Sequence, residues 1–214
     1  MKRFDTILNL VAETECFCLA DIGCDHGYIP IEAIKRKLAK KAIACDIAAG
    51  PLEVGKKNIE KEKLTDYIEL RLGDGLEQIE PNEADVVVIA GMGGSRILNI
   101  ISDGLYKINN ASLILQPQHG TYRLRWGLFD LGIKIYKEVL IKEGDRFYEI
   151  FSAKKTHEII NFTKKEAFLG NYTGELAQLF YAQKKQKIEK YIHCINDADA
   201  KEQALRELEW LESL

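Results

Sequence analysis

The chain has 214 residues, 46% of them apolar and 29% charged, with a formal net charge of −3. That length holds one large domain or a medium domain with an appendage, and that composition excludes a disordered tract. Global charge gives no pointer to nucleic acid, although Lys35-Arg36-Lys37, Lys40-Lys41, Lys56-Lys57, Lys154-Lys155, Lys164-Lys165 and Lys184-Lys185 gather positive charge locally.

Apolar residues at Phe4, Ile7, Leu8 and Val11 make one helical stripe. The run Phe17-Cys18-Leu19-Ala20 then reads as a buried strand ending near Ile22. A glycine-punctuated loop follows, and a helix from about Ile29 to Leu38 turns Ile31, Ile34 and Leu38 inward, with Pro30 in its first turn where a missing N–H costs least. Ala42 to Cys45 is a short second strand that stops at Asp46. Ala48 to Lys61 is a helix expected to bury Val54, the stem of Lys57 and Ile59. Ile68 to Leu72 alternates as a third strand before Gly73-Asp74-Gly75. Ala84 to Ala90 is the most apolar run, as suits a central strand covered on both faces.

A helix from about Ser95 to Ile101 leads to a fifth strand, Ser112 to Leu115, and then to Gln116-Pro117-Gln118-His119-Gly120. Tyr122 to Leu131 is helical and stopped by Gly132. Ile133 to Ile141 and Phe147 to Ala153 flank the turn Glu143-Gly144-Asp145 and pair as an antiparallel hairpin at the sheet edge. The order describes a doubly wound, mostly parallel, seven-stranded α/β sheet. Residues 154–171 read as irregular and polar. Two helical stripes follow, Leu176 to Ile195 and Ala204 to Leu211, broken at Asn196-Asp197-Ala198-Asp199 and expected to form an antiparallel hairpin. The expected division is a domain over 1–154 and a helical appendage over 155–214.

In open α/β sheets a ligand sits beyond the carboxyl ends of the strands. The first such loop, Asp21-Ile22-Gly23-Cys24-Asp25-His26-Gly27, is D-x-G-x-x-x-G and not the G-x-G-x-x-G that wraps a diphosphate. Its two carboxylates would repel a diphosphate and suit a ligand with a cationic or amino-bearing end, which points to S-adenosylmethionine. Asp21 or Asp25 could hold an ammonium; alternatively Asp25 caps the following helix. Asp46, about 20 residues after the first loop, stands where a carboxylate meets ribose hydroxyls, or is a surface aspartate at a strand end. Asp74 could accept from an adenine amino group, or simply turn the chain between two glycines. Ala90-Gly91-Met92-Gly93-Gly94 lacks the Asn/Asp-Pro-Pro-aromatic clamp of many nucleic-acid amino methyltransferases and offers an open backbone surface instead.

The blocks A-D-I-G-C-D-H-G-Y-I-P, R-L-G-D-G-L, I-A-G-M-G-G and L-I-L-Q-P-Q, with a late Y-E-I, resemble the bacterial tRNA (adenine-22-N1)-methyltransferases over essentially the whole chain. The resemblance implies a class I (Rossmann-like) enzyme that uses S-adenosylmethionine to methylate N1 of a tRNA adenosine. It implies a cofactor site at Asp21, Gly23, Asp25, His26, Gly27, Asp46, Ile47, Asp74, Gly75, Ala90, Gly91 and Met92. Asp25 is the candidate for stabilising charge or taking a proton in catalysis. Lys35, Arg36, Lys37, Lys40, Lys41, Arg123 and Arg125 are candidate RNA contacts, in the company of the C-terminal lysines.

Five cysteines without C-x-x-C spacing, and no apolar leader after Met1-Lys2-Arg3, suggest a reduced, cytoplasmic protein, expected to be monomeric, with no metal and no membrane segment. Two other readings stay open on the residues alone. One is a small-molecule methyltransferase on the same fold; the other is a non-catalytic RNA-binding protein with a vestigial cofactor pocket.

Overall fold

A computed structural model describes residues 3–214; Met1 and Lys2, part of the charged start, lie outside the described residues. Helix α1 (Arg3–Ala12) precedes strand β1 (Cys18–Ile22), helix α2 (Tyr28–Lys35), strand β2 (Lys41–Asp46), helix α3 (Ala49–Lys61) and strand β3 (Ile68–Leu72). Strand β4 (Val86–Met92), helix α4 (Gly94–Gly104), strand β5 (Ser112–Pro117) and helix α5 (Thr121–Asp130) continue the alternation. Strands β6 (Ile133–Glu143) and β7 (Arg146–Lys155) close it, followed by helices α6 (Lys164–Leu169), α7 (Glu175–Tyr191) and α8 (Ala198–Glu212).

The seven strands form one mixed sheet in the order β3-β2-β1-β4-β5-β7-β6. The first five pair in parallel, and the β6–β7 hairpin joins β5 antiparallel. Period-2 alternation explains why both faces are covered. Val87 and Ile89 of β4 enter one core with Ile97 and Ile101 of α4 and Leu124 and Leu128 of α5. Val86 and Val88 enter the other, with Leu8 and Val11 of α1, Ile31 of α2 and Ile59 of α3.

The structure corrects three local expectations. Val54 is exposed, and Leu52, Gly55 and Ile59 form the inner face of α3. At Gly55 the helix packs directly on the β1 loop, its Cβ position 3.5 Å from the His26 carbonyl carbon, an ordinary contact distance. Lys57 is likewise an exposed residue. The polar stretch 154–171 holds the helix α6, which Thr163 caps: its Oγ1 accepts from Glu166 N, and the Glu166 carboxylate accepts from Thr163 N at 2.7 Å. The T-x-x-E box before Ala167-Phe168-Leu169 was the signal for it. Those apolar residues and Ile188, Ile192, Ala204 and Leu211 pack as a third, C-terminal core. No helix among the described residues is long and apolar enough to cross a membrane.

Candidate active site

A cavity of about 560 Å³ opens at the carboxyl ends of the parallel strands. That volume suits a cofactor-sized ligand. The loop after β1 supplies Asp21, Gly23, Cys24 and Asp25. Asp46 and Ile47 come from the end of β2, Gly73, Asp74 and Gly75 from the end of β3, and Ala90, Gly91 and Met92 from β4. Gln116 and Gln118 close the β5 side, with Arg3 and Phe4 of α1, Tyr28 of α2 and Arg96 of α4 at the margins.

Hydrogen bonds to a neighbouring strand hold the β1 loop. Gly23 N and Cys24 N both donate to the Cys45 carbonyl, at 2.8 and 2.9 Å. Gly23 has φ +76°, a backbone conformation that favours glycine, and a Cβ there would stand 2.1 Å from Met92 Cε, so the Met92 side chain lies directly against this loop. Asp25 also lies in the left-handed region, at φ +51°, where aspartate is among the tolerated residues. Its N–H donates to Asp46 Oδ2 at 3.0 Å, while Asp46 Oδ1 accepts from Ala48 N at 3.0 Å. One carboxylate therefore ties the loops after β1 and β2. The Asp25 side chain is free of the capping role: the N-cap of α2 is Gly27, with no side-chain cap.

His26 and Gly27, expected at the cofactor, do not line the cavity. His26 Nδ1 sits 3.5 Å from Asp25 Oδ1, and its ring meets Tyr28 edge-on. Gly27 is consumed by packing, its Cβ position 3.7 Å from Gly55 Cα. Asp74 is ion-paired with Arg96, a cavity residue that sequence reasoning passed over. Tyr28, Gln116 and Gln118 lay inside quoted motifs without an assigned role, and Arg3 carried no motif at all.

Asp21 is 2% exposed beneath this loop. Burial first, and the Asp46 carboxylate second, push its carboxyl up to about 7. Because the folded pKa exceeds the unfolded one, ionising Asp21 costs stability, and the cost grows as pH rises from about 4 to about 7. Asp21→Asn is therefore expected to be more stable than wild type by about 2–4 kcal/mol at pH 8, with the gain shrinking towards pH 5. Urea unfolding at both pH values checks this; a gain that did not depend on pH would contradict it. Burial likewise pushes the Cys45 thiol up to about 12 and raises Cys24, so neither is a thiolate at neutral pH.

The β4–β5 side is open backbone. Their register shifts between Ala90 and Met92, leaving Gly91 as a bulge with φ +79°, a device that re-aims side chains beside sites. Gln118 N donates to the Met92 carbonyl and Gly94 N to the His119 carbonyl, each at 2.8 Å, so the two loops form one wall.

Of the basic residues expected at RNA, only Arg123 is exposed at the cavity end of the sheet, in the first turn of α5. Lys40 and Lys41 lie at the start of β2, where Lys41 pairs with Cys18, and Lys35, Arg36 and Lys37 lie at the end of α2. This cluster is at the amino edge of the sheet, a strand length from the cavity. Lys35 and Arg36 are moreover paired with Glu62, Glu32 and Asp5. Arg125 is fully buried and cannot meet RNA: it pairs with Glu138 and Glu149 and donates to Tyr172 Oη at 2.8 Å. Among the described residues no group of three or more His, Cys, Asp or Glu is arranged to hold a metal.

Comparison with known proteins is consistent with this geometry. A family described as "Methyltransferase domain" matches residues 1–151. The tRNA (adenine(22)-N(1))-methyltransferase of Bacillus subtilis (strain 168) is 32% identical, over 97% of this chain and 91% of its own length. A Streptococcus pneumoniae protein solved in complex with S-adenosyl-L-methionine superposes with a TM-score of 0.88 at 28% identity, covering 100% of this chain and 98% of that one. An M. capricolum protein in complex with the cofactor product S-adenosyl-homocysteine gives 0.84 at 27%, covering 96% and 95%.

Proposed function

The chain belongs to the family of tRNA (adenine(22)-N(1))-methyltransferases, and on that premise we propose how its residues transfer a methyl group from S-adenosylmethionine to N1 of adenosine 22 in tRNA. The observation that carries the reading is the single cavity spanning the carboxyl ends of β1 to β5, with carboxylates at one end and neutral, glycine-rich backbone at the other.

The residues fit the cofactor. Asp46 keeps a carboxylate, anchored by two backbone donors, where ribose hydroxyls would lie. Asp21 is a buried acid suited to an ammonium, and Gly23 leaves no Cβ between the β1 loop and Met92. Ile47, Asp74 and Gly75 would border the adenine, and Ala90, Gly91 and Met92 the methyl-bearing end. Bound S-adenosylmethionine would supply an electrophilic methyl on a sulfonium: as the N1 lone pair of an unpaired adenine forms the N–C bond, the C–S bond would break, neutral S-adenosylhomocysteine would leave and the positive charge would pass to the base. No enzyme nucleophile is required, in keeping with the protonated cysteines. The chain's task is positioning, worth several kcal/mol of barrier, and the exposed Asp25 carboxylate, in the β1 loop between the two ends of the cavity, would stabilise the positive charge that passes to the base. Because N1 is on the pairing edge, the adenine must be splayed from its partner.

The same reading takes α7 and α8 as an antiparallel hairpin appended at about residue 155, and the enzyme as a cytoplasmic monomer. RNA would approach the cavity end. Charge reversal of Lys40 and Lys41 is then expected to leave the KM for tRNA within about twofold. Arg123→Glu should raise it several-fold and flatten its salt dependence. Equal effects of the two variants in a salt series would contradict this docking face. The function itself is tested by label transfer from S-adenosylmethionine to an unmodified tRNA transcript and to one with guanosine at position 22. Transfer to the first alone is expected, and equal transfer to both would refute the assignment.

A further inference from the structure

Gln116 is a polar side chain of the cavity wall with only one of its two amide atoms hydrogen-bonded. It is 2% exposed at the end of β5 and lines the cavity. Its Nε2 donates to the neighbouring Pro117 carbonyl at 2.7 Å. Because that partner can only accept, the amide orientation is fixed and the oxygen is the other atom. No donor among the described residues reaches Gln116 Oε1. Gln116 lines the cavity, so this open acceptor is offered to the ligand that fills it, and a ligand that covers it without supplying a donor would leave it unpaired at a cost.

The sheet order says which ligand brings that donor. Asp46 ends β2, and Gln116 ends β5, three strand spacings or roughly 14 Å across the sheet. With Asp46, Asp74 and Gly75 holding the nucleoside end of the cofactor, that end would lie over β2 and β3, and Gln116 stands at the opposite end, paired with Ala90 beside the Gly91 bulge, where an acceptor base would have room. An adenine with N1 aimed at the methyl carries its exocyclic amino group on the adjacent carbon. Its N6–H is a donor, whereas guanine presents an oxygen there.

We propose that Gln116 selects the target base, its Oε1 accepting a hydrogen bond from the adenine N6 amino group and so holding N1 in line with the methyl. This rests on the methyltransferase reading above and adds to it the group that replaces the missing Asn/Asp clamp of the β4 loop. The amide moves from the end of β4 to the end of β5, and its fixed orientation leaves N1 itself without a competing donor.

The test compares a tRNA-derived RNA carrying adenosine at the target with the same RNA carrying purine riboside, which keeps N1 and lacks the amino group. Wild type should prefer adenosine by roughly 10- to 100-fold in kcat/KM, the effect of leaving one buried acceptor unpaired. Gln116→Met, which keeps the volume, and Gln116→Asn, which withdraws the amide, should bring that ratio close to 1. Cofactor affinity by calorimetry and urea stability should stay near wild type, and fluorescence anisotropy should show the same loss of preference in RNA binding. A wild-type ratio near 1 overturns the proposal even if neither variant folds, as does an unchanged ratio in a folded variant. Failure of wild type to methylate the adenosine RNA at all overturns the methyltransferase reading, a result distinct from both.

Discussion

Replacing Arg125 by Met is expected to destabilise the protein by about 3–5 kcal/mol, the usual cost of removing one partner of a buried ion pair. The guanidinium is fully buried and serves five groups: Glu138, Glu149, Tyr172 Oη, the Ala167 carbonyl at 3.1 Å and the face of Phe151 at 4.7 Å. These come from β6, β7, α6 and the segment before α7, so the arginine ties the sheet to the C-terminal helices. Burial alone would raise the Glu149 carboxyl; Arg125 first, then Lys184, hold it below the usual carboxylate range. Lys184, itself pushed down to about 8 by burial, is a weak substitute. Without Arg125 the buried Glu149 takes up a proton as pH falls, so the deficit at pH 7.5 should narrow at pH 5. Lysine at 125 should recover little, because a point charge cannot span the fork that two carboxylates occupy. The check is urea unfolding at both pH values, with a fall in Tm of roughly 10 °C expected at pH 7.5. Stability within 1 kcal/mol of wild type would contradict the network's assigned weight.

Asp46→Ala is expected to weaken S-adenosylmethionine binding by roughly 100-fold or more. The variant would lack the hydrogen bonds we propose from this carboxylate to the ribose, each worth about 1.5–3 kcal/mol when one partner is charged. It would also release Asp25 N and Ala48 N, which it now holds at 3.0 Å, so the β1 loop loses its tie to β2. Asp25→Asn beside it should behave differently. Its backbone N–H still reaches Asp46, so cofactor affinity should hold while kcat falls about 10-fold from loss of a charge facing the developing cation. Calorimetry with S-adenosylhomocysteine and steady-state kinetics separate the two. Unchanged affinity in Asp46→Ala would remove the ribose role, and unchanged kcat in Asp25→Asn would remove the electrostatic one.

Much of the placement of this site was legible in the sequence. Asp46, Asp74 and the β1 loop follow directly from strands that end in acidic or glycine residues, because parallel order puts all those ends on one edge. The terminal hairpin was legible from its turn and spacing. What escaped was non-local. Arg125 looks like a surface helix residue because its partners Glu138, Glu149 and Tyr172 lie 13, 24 and 47 positions further on. Arg96 next to Asp74 depends on how α4 leaves β4. Lys40 and Lys41 open a parallel strand, and residues there stand at the edge opposite its carboxyl end, so their distance from the site follows from the sequence order itself. Gln116 sat in a motif whose meaning rests on its buried amide having one satisfied and one open atom, which no pattern of residue types displays.

The most direct test is the identity of the methylated atom. An unmodified tRNA transcript incubated with the protein and S-adenosylmethionine should yield one N1-methyladenosine per molecule on digestion to nucleosides and mass spectrometry, and ribonuclease fragments of the same sample should place it at position 22. Methyl groups found on N6, on another base or on no nucleoside at all would contradict the account.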